Sequence, residues 1–191
     1  MRVTIEPYNP EWPLKFRDKR DQLLDILQDV SITSIEHVGS TSIPSLMAKP
    51  VIDIDIIIPA SSLEAARNAL KNAGYDDLGE LNIPGRFVFR QPGYGKLDAA
   101  HGKDKDGEVR YNTYLMVEGY PSLKNHLDTK RVLMENQELR EEYGRVKRML
   151  RDTELESLDH YTFAKTEIMC KILRSAGWSE EDLAPLIEAN T

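Results

Sequence analysis

A chain of 191 residues, 40% of them hydrophobic, can bury a sizeable core and fits a single domain spanning 1–191. Asp and Glu outnumber Lys and Arg by 32 to 25, and the resulting charge of −7 opposes generic binding to duplex nucleic acid. One cysteine excludes an internal disulfide, four scattered histidines make no zinc-type cluster, and the first residues and the longest apolar run, 56–60, supply neither a leader nor a membrane span, so the chain reads as soluble and cytoplasmic.

In chain order, Val3-Thr4-Ile5 alternates weakly and predicts a short edge strand that Pro7 stops. A helix follows, with Asn9 as N-cap and Pro10 at the first helical position. Trp12, Phe16, Leu23, Leu24 and Leu27 recur at helical spacing, with Lys15, Arg17, Lys19 and Arg20 facing out. The segment 32–38 reads as a first core strand that delivers Gly39-Ser40. A glycine at a strand end lets backbone N–H groups approach a phosphate, and the serine adds a hydroxyl, although such a pair also serves as an ordinary turn.

The next strand, 51–58, places Ile52, Ile54, Ile56 and Ile58 on one face and Val51, Asp53, Asp55 and Ile57 on the other. So continuous an apolar run predicts a buried strand. Two carboxylates side by side in it repel and lose hydration, so they need a compensating partner, and a divalent cation such as Mg²⁺ meets that need economically. A helix capped by Ser61 or Ser62 and ended by Gly74 covers the sheet.

Arg86-Phe87-Val88-Phe89-Arg90 alternates as a strand with both arginines on one face, where they are either paired with carboxylates or grip phosphate. The glycine-rich stretch 92–107 has no period and reads as a partly functional loop, its Asp106-Gly107 turn joining the arginine strand to an antiparallel partner over 109–117. That partner strand contains no acidic residue.

From Pro121 the chain is helical, with apolar stripes through Leu123 to Leu133, Leu139 to Leu150 after an Asn136 cap, and Tyr161 to Leu173. Cys170 falls within the third stripe as a small core residue. Gly177 stops that helix, and Ser179 with Asp182 opens a last short one. Lys165 shares a side with Tyr161 and Ile168, so it is semi-buried or snorkelling. The expected architecture is α/β, a small mixed sheet over 1–120 covered by helices, with a helical C-terminal part over 121–191.

The order strand, Gly39-Ser40, short connector, Asp53-Ile54-Asp55 resembles the signature of the nucleotidyltransferase superfamily. The fuller run from His37 to Ile54 resembles the GrpB family, a small branch of it of obscure role. Arg86, Phe87 and Arg90, His126, Leu127 and Arg131, and Tyr161 with Lys165 extend the likeness over roughly Ile5 to Leu173. The resemblance implies a nucleotide-binding, Mg²⁺-dependent transferase-like protein. Asp53 and Asp55 would hold the metal and serve catalysis, Gly39, Ser40 and Thr41 the triphosphate, and Arg86, Arg90 and Lys165 further phosphate charge.

Where active members of that superfamily place a third carboxylate, and the GrpB pattern a His-x-His, this chain has Tyr114 and Met116. Glu108, Glu118 and Asp98 do not match by position. The residues therefore leave open an enzyme, a nucleotide pocket without catalysis, and an accessory protein acting through its helices.

Overall fold

The computed structural model describes residues 3–93, 107–154 and 158–188, without the side chains of 158–161. A helix α1 (Trp12–Ile26) precedes β1 (Ser34–Val38) and β2 (Val51–Ile58). Then come α2 (Leu63–Asn72), β3 (Asp76–Asp77), β4 (Arg86–Arg90) and β5 (Arg110–Val117). Four helices complete the chain: α3 (Pro121–Glu135), α4 (Gln137–Asp152), α5 (Leu158–Ser175) and α6 (Glu180–Glu188).

The strands form one mixed sheet in the order β1-β2-β5-β4-β3, so the architecture is α/β, as the sequence predicts. β2 runs antiparallel to β1 and parallel to β5, while β4 is antiparallel to both β5 and β3. The central pair thus has neighbours on both edges and helices on both faces, which is why β2 tolerates an almost unbroken isoleucine run.

Ile52, Ile54, Ile56 and Ile58 are fully buried against Trp12, Leu23 and Leu27 of the α1 segment and Ala66 and Leu70 of α2. The opposite face meets the C-terminal helices, where Ile57 and Met116 pack on Leu123. The connector after β1 joins this second layer, with Ile43 and Leu46 packed among Leu133, Tyr143 and Ile172. Carboxylates at 53 and 55 therefore point into the seam between sheet and helical layer.

Several local expectations change. The chain at 3–5 forms no strand, only a bridge pairing Glu6 with Ala48, because Val3 and Ile5 pack on Leu150 instead of joining the sheet. α1 starts at Trp12, with Pro13 in its first turn and Asn9 accepting from the Glu11 amide. Leu24 is 42% exposed, since the helix turns Leu23 and Leu27 inward. Ser62 makes no side-chain cap. The Asn136 cap and the Ser179–Asp182 box form as their spacing predicts. Asp98 and Asp106, with the loop over 94–106, lie outside the described residues.

Candidate functional site

The turn after β1 is built around one backbone position. Gly39 has φ +68, and a Cβ placed there would come 2.2 Å from Asp53 Oδ2. Only glycine adopts this conformation and leaves that space, so the glycine admits the carboxylate of the neighbouring strand. Its partner residues then diverge. Ser40 lines the cavity beside Gly39. Thr41 is 1% exposed, donates to the Val51 carbonyl at 2.9 Å and lies 3.0 Å from His37 Nε2. Because the hydroxyl proton is used on Val51, Thr41 accepts from His37, which fixes the ring as the Nε2–H tautomer. Thr41 thus ties β1 to β2 and is not part of the cavity wall, although the family resemblance assigns it to phosphate.

His37 is also stacked on Phe16, with ring centroids 4.8 Å apart. Burial, with help from the Lys130 charge, pushes it down to about 4, so it is neutral near pH 7.

The two carboxylates find partners within the protein. Asp53 Oδ1 accepts from Asn112 Nδ2 at 2.8 Å, and burial pushes Asp53 upward against that bond. Asp55 is 0% exposed, and His126 Nδ1 on α3 donates to its carboxylate at 2.9 and 3.0 Å from the two oxygens. Burial opposes the imidazolium, but the Asp55 bond and the Asp55 and Asp53 charges outweigh it, so His126 is raised. An imidazole and an amide therefore meet the need that sequence reasoning assigned to a cation. The two hard oxygen donors remain a chemically suitable set for Mg²⁺ completed by phosphate and water. Among the described residues, no three His, Cys, Asp or Glu side chains form a metal-holding group.

The parallel register sets Asn112 beside Asp53 and Tyr114 beside Asp55. Burial, with the Asp53 charge, pushes Tyr114 far above its ordinary range, so it cannot act as a base near neutrality. Glu108 is ion-paired with Lys15, and Glu118 accepts from Thr33 at 2.6 Å.

The alternatives for the β4 arginines separate by position. Arg86 lines the cavity and lies over the Tyr114 ring at 5.4 Å, its buried Nε without a hydrogen-bond partner among the described residues. Arg90 instead binds Asp76 through Nε and Nη2 at 2.9 and 2.7 Å, away from the cavity wall. Lys165 lines the cavity, and burial lowers it.

Gly39, Ser40, Asp53, Arg86, His126 and Lys165 thus face one space of about 380 Å³, a volume suited to a small ligand. Sequence reasoning named His126 only as part of the family likeness and gave neither it nor Asn112 nor Lys147 a place at the site. The first two become legible only once the register of β5 on β2 and the seat of α3 are known. Lys147 is a polar residue in an otherwise amphipathic helix, with no motif to mark it.

Comparisons with known proteins agree with this architecture. The family described as GrpB protein matches residues 2–175. A UPF0157 protein of Halalkalibacterium halodurans is 31% identical over 175 residues, covering 91% of this chain and 82% of the relative. The crystal structure of the conserved protein GrpB from Enterococcus faecalis superposes with a TM-score of 0.70 at 24% identity, covering 92% of this chain and all of that one. Cid1 in complex with a UTP analogue gives a TM-score of 0.38 at 13% identity, over 77% of this chain and 41% of Cid1, a likeness too slight to bear on function. By the extent of the family match and the coverage of its relative, the chain belongs to the GrpB family.

Proposed function

We propose that this protein binds a nucleoside triphosphate in the cavity between sheet and helical layer, as a Mg²⁺-dependent, nucleotidyltransferase-like member of its family. The observation that carries this reading is the close approach of the Gly39 turn to Asp53, so that Gly39, Ser40 and the Asp53 carboxylate line one cavity with Arg86 and Lys165. Asp53 and Asp55 would hold Mg²⁺, which would supply positive charge to neutralise the phosphates. Gly39 and Ser40 offer backbone and hydroxyl donors, and Arg86, with an unsatisfied buried Nε, offers a fork suited to phosphate. Arg90 is left out of this role by its pairing with Asp76.

Asn112 and Tyr114, standing where a base is needed, favour the second reading, a pocket that binds without rapid transfer. Labelled nucleoside triphosphates with Mg²⁺ separate the two. Saturable binding with no pyrophosphate release in a single turnover supports the pocket, rapid release supports the enzyme, and no binding of any of the four common triphosphates overturns both.

A further inference from the structure

On α3, Ser122, Asn125 and Thr129 line the cavity at spacings of three and four residues and so form an uncharged stripe beside His126. The hydroxyl protons of this stripe are already used within the protein. Ser122 donates to the Pro84 carbonyl at 2.9 Å and Thr129 to Asn125 Oδ1 at 3.3 Å. On α5, Thr166, which also lines the cavity, donates to the Thr162 carbonyl at 3.3 Å. Asn125 is thus the open donor of the stripe.

The Thr129 bond sets the orientation of the Asn125 amide. Oδ1 is held along the helix and keeps one further lone pair, while Nδ2 makes no hydrogen bond among the described residues and has both protons to give. Asparagine is a poor former of helix interiors, because its side chain competes for backbone groups, so a half-buried one within α3 adds little to the helix itself. A planar amide fixed in one orientation presents a donor and an acceptor side by side, and the edge of a nucleobase presents the complementary pair. Phosphate oxygens are acceptors and suit the charged residues of the cavity instead. A sugar hydroxyl, donor and acceptor at once and free to rotate, has no need of an oriented amide. Ile43 and Leu133, with Met169 packed against their cluster, line the same cavity and offer apolar surface to the face of a ring.

We propose that Asn125, oriented by Thr129, recognises the base of the bound nucleotide by pairing its amide with an adjacent donor and acceptor on the base edge. This rests on the nucleotide reading of the cavity and names the residue that tells such a ligand from other phosphate compounds.

Calorimetry on the full chain with the four common nucleoside triphosphates and with ribose 5-triphosphate, which has no base, tests the assignment, alongside melting of each free protein. Asn125→Leu, close in size and without the amide, is expected to weaken the best-bound nucleoside triphosphate by about tenfold and to leave ribose 5-triphosphate unchanged. Thr129→Val, which releases the amide, is expected to give a smaller loss with the same selectivity, and it carries the test should Asn125→Leu fail to fold. An equal loss for ribose 5-triphosphate would move the contact to sugar or phosphate, overturning the base assignment and leaving the nucleotide reading standing. Unchanged affinity for every ligand in the folded variants has the same consequence, as does wild-type binding of ribose 5-triphosphate as tight as that of any nucleoside triphosphate. Binding of none of these triphosphates by the wild type overturns the nucleotide reading, and the base assignment with it.

Discussion

Gly39 and Asp53 constrain one another, since the backbone of one fills the space that a side chain would need beside the carboxylate of the other. Gly39→Ala is expected to cost about 2 kcal/mol or more, combining ~1–2 kcal/mol for a left-handed φ with the displacement of Asp53. Urea denaturation checks this, and a negligible loss would mean that Asp53 moves aside freely. His126→Ala leaves the Asp55 carboxylate buried without its donor and is expected to cost on the order of 3 kcal/mol.

The two histidines then act on stability with opposite sign. His37 is depressed, so between pH ~6.5 and about 4 the unfolded chain takes a proton that the native site refuses, and stability falls with acid. His126 is raised, so its contribution is complete below pH ~6.5 and is lost as pH rises through its native value. The stability of His37→Phe measured against pH should fall less steeply between pH 6.5 and 4 than that of the wild type. An equal slope would assign the acid loss to other groups.

At the scale of elements, the parallel register of β2 and β5 decides what surrounds the carboxylates, because it sets the Asn112 amide beside Asp53 and Tyr114 beside Asp55. Asn112→Asp therefore puts a like charge at hydrogen-bond distance from Asp53. The variant should melt lower without divalent ions and gain more from Mg²⁺ than the wild type, as a cation relieves the repulsion. Thermal melts with and without Mg²⁺ decide it, and equal gains would show that no cation lodges between the strands. The run in β2 has a separate, purely structural part. Ile54→Ala, at a fully buried position in the layer beneath α1 and α2, is expected to cost about 2–5 kcal/mol.

For the whole molecule, the cavity lies where the sheet meets the helical layer, so a ligand bound there would be thermodynamically linked to the fold. Mg²⁺ together with a nucleoside triphosphate should raise the melting temperature by mass action, by the equivalent of about 2.7 kcal/mol at a hundred times the dissociation constant. Asp53→Asn combined with Asp55→Asn should abolish the Mg²⁺-dependent part of that rise. Retention of the full rise in the double variant would place the cation elsewhere. No described helix is long and apolar enough to cross a membrane.

The sequence by itself determined the strand with its two carboxylates, the turn glycine, most of the helices with two of their caps, the mixed α/β architecture and the family, because these depend on local periodicity and short spacing. It also showed that no carboxylate stands on β5. The partners of Asp53 and Asp55 were decided by tertiary structure alone. Asn112 lies 59 residues from Asp53 and His126 lies 71 from Asp55, so only strand register and the packing of α3 bring them together. The same holds for the divergence of Arg86 from Arg90. Both occupy one face of β4, but one end of that strand reaches the cavity while the other pairs with β3, a two-residue edge strand too short to leave a periodic signal. Lys147 is the plainest case, since burial is a property of the packed molecule and nothing in the neighbouring residues distinguishes this lysine from a solvated one.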